Sequence, residues 1–249
     1  MKLLYLDTET TQFVTEELNE NIMIQLATVY KVDKEFTFYE DKNKNTLPIT
    51  SKASATHHIT EEDLVDKPNY NKTNTYKKLE TSLECENIDY MIAHNMPFDD
   101  KVLQLAGLDT SKVKKIDTLK VMKFINDMLY EKGEAFESLA LQFLMYELKL
   151  YKYRKPFYDK YDIEVKNAHD ALFDTIDLII LTNWIIKIYN TTYEEMYQIT
   201  NEPLELHYVP SGSNRGKRFD ELTRNQLEWN RDNSWDADVR YTCEILLED

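Results

Sequence analysis

Lys2-Leu3-Leu4-Tyr5-Leu6-Asp7-Thr8-Glu9-Thr10 decides how the rest of the chain is read. Four consecutive apolar residues read as a buried strand. Side chains two apart on a strand share a face, so the carboxylates of Asp7 and Glu9 emerge together at its end. Two like charges held side by side repel each other, and a bound cation relieves that repulsion, so the pair points to a hard-metal site. An acidic strand end running into a turn is also common, and the pair alone does not separate the two readings.

The 249 residues suffice for one large domain, or for one domain with a small appendage. Ordinary apolar content and abundant aromatics make it a globular chain. The apolar start, residues 3–6, is too short for the core of a secretory signal. The most apolar later stretch, residues 178–188, is interrupted by Thr182, Asn183 and Lys187 and is too short to span a bilayer. A soluble, cytoplasmic protein without a membrane partner is expected. Cys85 and Cys243 form no CxxC pair, which excludes a zinc site of that type and fits a reducing compartment. The formal charge of -15 excludes nucleic-acid binding by bulk electrostatics, so any such contact must be local, short or metal-bridged. The bias toward Lys, Asn, Ile and Tyr fits an AT-rich bacterial, phage or viral genome.

Downstream of the first strand, residues 22–32 read as a second strand. Asp33-Lys34 turns the chain into a third at residues 35–39, completing a hairpin. Thr60 is placed to cap a short helix with an acidic first turn, and a polar helix is expected near residues 76–85. Residues 89–94 read as a buried strand, followed by a helix over 99–105, a short strand at 115–118 and helix from 119 to about 150. Residues 172–188 form a strongly apolar helix. Thr192 and Glu195 fit a capping box opening another helix. Pro203, Pro210 and Ser211-Gly212-Ser213 mark irregular structure, and a last helical pattern carries Trp229, Val239, Ile245 and Leu246. A hairpin followed by alternating strands and helices indicates an α/β domain with a mixed sheet. A boundary is placed near residue 190, dividing residues 1–190 from a small module at 191–249.

Two further segments carry chemistry. His94-Asn95-Met96-Pro97-Phe98-Asp99 puts Asp99 at a helix start, where Asp most often serves as an N-cap. Ala168-His169-Asp170-Ala171-Leu172-Phe173-Asp174 lies at the mouth of the apolar helix. At about 100° per residue, His169 and Asp174 cannot share a helix face; they converge only if Asp170 caps the helix and His169 sits in the loop before it. Asp174 stands among Leu172, Phe173 and Ile176, where a carboxylate costs several kcal/mol unless it is paired or metal-bound.

Together, Asp7-Thr8-Glu9-Thr10, His94-Asn95-x-x-Phe98-Asp99 and His169-Asp170-Ala171-x-x-Asp174 resemble the three motifs of the DEDDh (DnaQ-like) 3′ to 5′ exonucleases, in matching order. Ile24-Gln25-Leu26-Ala27 resembles that family's second strand, and residues 53–68 resemble the segment before its second motif. Residues 192–203 and 215–242 resemble the tail of the exodeoxyribonuclease X branch. Two departures stand out: Gln12 replaces a glycine usual after the first motif, and Ser211-Gly212-Ser213 replaces an aromatic-Gly-Lys.

The resemblance implies a ribonuclease H-like fold with a mixed five-stranded sheet flanked by helices. It implies two Mg²⁺ or Mn²⁺ ions held by Asp7, Glu9, Asp99 and Asp174, with His169 as general base. Asn95 and Phe98 are expected beside the terminal nucleotide, with Thr8 and Thr10 offering backbone contacts to the 3′ end. The expected substrates are DNA 3′ ends, single-stranded or frayed from a duplex, digested with low processivity. RNA ends are the alternative within the family, and a non-catalytic acidic interaction protein is the alternative outside it. Lys149-Leu150-Tyr151-Lys152-Tyr153-Arg154-Lys155 interleaves basic and aromatic residues, a pattern that holds phosphates and stacks bases of a single strand, or else a solvated loop in a lysine-rich chain.

Overall fold

The structure is a computed structural model and describes residues 1–15, 18–85, 87–164 and 170–248. In chain order the elements are β1 (Lys2–Thr10), β2 (Met23–Val32), β3 (Glu35–Lys42), α1 (Ser51–His57), α2 (Asn74–Glu84), β4 (Tyr90–Ala93), α3 (Met96–Leu105) and β5 (Lys114–Asp117). They continue with α4 (Thr118–Tyr130), α5 (Leu141–Glu147), α6 (Arg154–Tyr161), α7 (Ala171–Tyr189), α8 (Tyr193–Asn201), α9 (Arg224–Asn233) and α10 (Ala237–Glu248).

The five strands form one mixed sheet in the order β3-β2-β1-β4-β5. β2 pairs antiparallel with β1 and β3, whereas β4 runs parallel to both β1 and β5. β1 is therefore the strand at which the order reverses. In open α/β sheets the crevice beyond the strand ends at such a point is where ligands are held. Asp7 and Glu9 lie toward the carboxyl end of β1, and the turn into α3 leaves the carboxyl end of β4.

β1 is a continuous apolar run because helices cover both its faces. Leu3 and Tyr5 belong to one core cluster with Ile179 and Met145, and Leu4 and Leu6 to another with Leu79 and Val102. The period-two alternation continues the first face through Asp7 and Glu9, toward α7, and the second through Thr8 and Thr10, toward α3. One strand thus delivers two carboxylates to one side and two hydroxyls to the other.

Local chemistry sets several element ends. Asp170 caps α7, its side chain accepting from Leu172 N, and the Thr192/Glu195 capping box opens α8 as the residue pattern predicts. Asp33 adopts φ 55° in the two-residue turn joining β2 to β3. Other ends differ from the sequence expectations. The helix expected over 119–150 is two helices: Gly133, at φ 69°, ends the turn after α4, and Asn126 Oδ1 accepts from Phe136 N to hold the crossing segment. α3 starts three residues before Asp99, because Asn95 takes the left-handed conformation at φ 75° and Pro97 fits the first turn. Thr60 does not cap a helix; its N–H and hydroxyl both donate to Asp63 beside the short turn Glu62–Leu64. α1, capped by Thr50, is an additional helix. The last helical pattern splits into α9 and α10, and Trp229 projects into solvent.

α8 packs along β5, with Met196 in the β1-side core and Thr200 Oγ1 accepting from Asp117 N at 3.0 Å. A separate small apolar cluster begins at Leu204 and includes Phe219, Val239 and Cys243. Asp127 joins it to α4 by accepting from His207 N and Tyr208 N. Among the described residues no helix is long and apolar enough to cross a membrane.

Candidate active site

Asp7, Glu9 and Asp174 come together at the strand end. Each offers a carboxylate oxygen, and these oxygens all lie within 4.8 Å of one another. β1 supplies the first two, and α7 supplies Asp174 from its first turn. Asp99 joins them from the first turn of α3, only 2% exposed, and its Oδ1 accepts from Thr8 Oγ1 at 2.8 Å. The four carboxylates expected from the sequence therefore converge in space from three separate elements.

Their electrostatics follow from burial and from one another. Desolvation, then repulsion from Asp99, Glu9 and Asp174, holds the Asp7 carboxyl well above the usual carboxylate range. Desolvation, then the charges of Asp174 and Asp99, pushes Glu9 up to about 9. Asp174 rises to about 7 through desolvation and then Asp177; Gln142 and Arg154 oppose the shift without cancelling it. Asp99 is also raised to about 7 by desolvation, against the stabilising hydrogen bonds of Thr8. Negative charge is thus held out of water with incomplete compensation from the protein itself. The donor set consists of carboxylate oxygens, the ligands that Mg²⁺ and Mn²⁺ prefer. These residues fit a hard divalent cation.

A supporting network not anticipated from the sequence fixes Asp174. Gln142 Nε2 donates to Asp174 Oδ1 at 2.5 Å and to Asp177 Oδ2 at 2.9 Å. Gln142 Oε1 in turn accepts from Arg154 Nη2 at 2.8 Å. The same guanidinium grips Asp177 through Nε at 2.8 Å and Nη2 at 2.6 Å. Asp177 is fully buried, so the fork neutralises a charge that would otherwise stand alone inside the protein. Arg154 is therefore committed internally. On the other side, Gln25 Nε2 donates to Glu40 at 2.7 Å and to Asp170 at 3.3 Å, tying the α7 cap to the sheet.

The remaining expected residues are distributed around this cluster. Thr10 is buried, its hydroxyl donating to Gln12 O, while its own carbonyl accepts from His57 Nε2 at 3.1 Å. His57 Nδ1 accepts from Ile59 N, so the ring is neutral with its proton on Nε2, anchoring α1 to the strand end. Asn95 is exposed, and its backbone N–H donates to Asp117 Oδ1. Phe98 is partly buried against the α3-side core. His94 spends both ring nitrogens on the frame, with Nδ1 2.9 Å from Thr118 Oγ1 and Nε2 donating to Leu139 O at 2.8 Å. His169 lies outside the described residues.

The sequence matches no protein-family model and no curated protein. Solved structures similar to the chain include exonucleases. One is exonuclease X in complex with 5′ overhanging duplex DNA, 21% identical with a TM-score of 0.53, covering 80% of this chain and 99% of that one. Another is a zinc-bound E. coli ExoI–ssDNA complex, 16% identical with a TM-score of 0.50, covering 78% of this chain and 42% of that one. At these identities the likeness shows the fold, a ribonuclease H-like mixed sheet flanked by helices.

Proposed function

We propose that the protein is a divalent-metal-dependent 3′ to 5′ exodeoxyribonuclease that releases 5′ mononucleotides. The observation that carries this reading is the convergence of Asp7, Glu9 and Asp174 within 4.8 Å, with Asp99 held beside them. Such a cluster is electrostatically costly on its own and is stabilised by bound cations. When bound there, Mg²⁺ or Mn²⁺ supplies charge neutralisation at the phosphate and activation of water.

The chain's own groups do the rest. Asp7, Glu9 and Asp174 would hold the cations, with Asp99 supporting them from α3. His169 takes the proton of the attacking water, a task suited to an imidazole near neutrality. The water oxygen bonds to phosphorus, and the bond to the 3′ oxygen of the penultimate nucleotide breaks. Asn95 and Phe98 seat the terminal nucleotide, the first by hydrogen bonding and the second by packing, while backbone groups of Thr8 and Thr10 contact the 3′ end. The net acidity removes bulk attraction for a polyanion, so contact with a single-stranded or frayed 3′ end is local and processivity is low. Residues 1–190 form the nuclease domain in this reading, with an accessory module at 191–249. The likeness to exonuclease X, which extends over nearly all of that chain, supports DNA as the substrate.

The test incubates single-stranded DNA, duplex DNA and RNA with the protein in Mg²⁺, Mn²⁺ or EDTA, beside Asp174→Ala. Metal-dependent shortening of DNA from the 3′ end, lost in the variant, is expected. Activity in EDTA, or an unaffected variant, overturns the proposal, and faster digestion of RNA than DNA overturns the substrate assignment.

A further inference from the structure

A groove of about 860 Å³ lies between residues 148–160 and the outer half of α7. Lys149, Lys152, Lys160 and Lys187 stand around it, Tyr153 and Trp184 form part of its walls, and among the described residues no acidic side chain lines it. In a chain with 45 acidic and 30 basic residues, four lysines without an acid reverse the local sign of charge. None of the four has a carboxylate partner among the described residues, whereas Arg154 and Lys155 of the same segment are paired with Asp177 and Asp159. All four lysines are exposed, so holding them together has no evident use for the fold.

The groove connects to the carboxylate cluster through α5 and α7. α5 begins beside the cluster, where Gln142 donates to Asp174. One turn later Tyr146 is exposed and stacks on Tyr151, ring centroids 5.2 Å apart and planes 28° from parallel. Lys152 and Tyr153 follow directly. On α7, Asn183 and Trp184 lie nine and ten residues beyond Asp174, about 14 Å along the helix axis. A strand leaving the carboxylates along α5 would pass the exposed faces of Tyr146 and Tyr151 before reaching the lysines.

We infer that this groove is a binding track for single-stranded nucleic acid, its lysines holding phosphates and its Tyr153, with Tyr146 and Tyr151 beside it, stacking bases a few nucleotides 5′ of the terminus. The inference rests on the assignment of the carboxylate cluster as a 3′-end site. Stacking requires unpaired base faces, which selects a single strand over a duplex. Lysine ammoniums around aromatic walls are the combination that binds such strands without reading their sequence. The track also shows where an acidic protein keeps its attraction for a polyanion: in one groove rather than over its surface.

The test uses Lys149→Glu/Lys152→Glu/Lys187→Glu, a Gln version of the same triple variant, and Tyr153→Ala, each checked for an unchanged melting temperature. Affinity for a fluorescent single strand is measured in EDTA across a salt series. Mg²⁺-dependent kcat/KM is then compared for that strand and for a dinucleotide too short to leave the carboxylate cluster. The Gln variant is expected to lose about ten-fold in strand affinity and to flatten the logarithmic salt dependence by about two. The Glu variant loses more, Tyr153→Ala loses affinity with little change in salt slope, and dinucleotide hydrolysis is unchanged throughout. Wild-type strand affinity and salt slope in both triple variants overturn the inference, as does an equal loss on the dinucleotide. Competition by an acidic peptide but not by a DNA strand also overturns it. If the wild type hydrolyses neither substrate, the 3′-end assignment fails, while the lysine dependence of binding in EDTA still judges the groove.

Discussion

Thr8 Oγ1 donates to Asp99 Oδ1 at 2.8 Å, joining residues 91 positions apart in sequence. The bond follows from strand parity: Asp7 and Glu9 face α7, so the residue between them faces α3, where Asp99 is buried. Desolvation lifts the Asp99 carboxyl to about 7, and the Thr8 hydrogen bond restrains that rise. Thr8→Val leaves the acceptor unsatisfied and is expected to destabilise the protein by about 1–3 kcal/mol. It should also raise the pH at which activity reaches half its maximum, because Asp99 then ionises later. Thr8→Ser should retain both properties. Chemical denaturation and a pH–rate profile check this, and a Thr8→Val profile superimposable on wild type contradicts a positioning role for Thr8.

Asp7 should separate stability from activity. Its carboxylate is desolvated and repelled by its neighbours, so Asp7→Asn relieves repulsion in the metal-free protein. In EDTA the melting temperature of Asp7→Asn should rise above wild type, while nuclease activity in Mg²⁺ falls below detection. Differential scanning fluorimetry with a parallel gel assay reads both. A variant less stable than wild type in EDTA but fully active would contradict the account of this residue.

The same repulsion predicts a pH dependence. Asp99 and Asp174 are raised to about 7 and Glu9 to about 9, all above their unfolded values, so the metal-free folded state binds protons more tightly than the unfolded chain. Their contribution to stability is present below about pH 4 and is lost as pH rises through the folded values. A divalent cation requires the ionised forms, so its stabilisation should grow over the same interval. The Mg²⁺- or Mn²⁺-induced increase in melting temperature is therefore expected to be larger at pH 8.5 than at pH 5.5. An increase that shrinks as pH rises contradicts this charge assignment.

Arg154 and Asp177 make a buried pair behind the cluster. Arg154→Met strands the Asp177 carboxylate and is expected to cost about 3–5 kcal/mol, whereas Arg154→Met/Asp177→Leu should recover most of that loss. Because Gln142 bridges this pair to Asp174, the double variant should still lose activity. Denaturant melts of the two variants and the wild type test the pairing; equal stability of single and double variants contradicts it.

The sequence features that proved readable are those whose chemistry is local. Strand parity at Asp7 and Glu9, the Asp170 cap of α7 and the Thr192/Glu195 box of α8 each depend on residues within a few positions. The break at Gly133 was hidden because apolar residues recur at helical spacing on both sides of it. α3 begins at an asparagine in the left-handed conformation, which the common capping role of Asp obscured at Asp99. The network of Gln142, Arg154 and Asp177 joins α5, α6 and α7; Gln142 and Asp177 belong to no local motif, and the basic segment that holds Arg154 points to a different role. Arg154 looked like a surface cation because its segment is basic; only the tertiary structure shows it turned inward.

The most direct measurement follows one single strand carrying distinct labels at its 5′ and 3′ ends through digestion in Mg²⁺, with mass analysis of the released products. The carboxylate centre predicts immediate release of the 3′ label as a 5′ mononucleotide and a descending ladder of 5′-labelled strands, both abolished by EDTA and by Asp7→Asn. Release of the 5′ label first, internal cleavage, 3′ mononucleotide products or persistence in EDTA contradicts it.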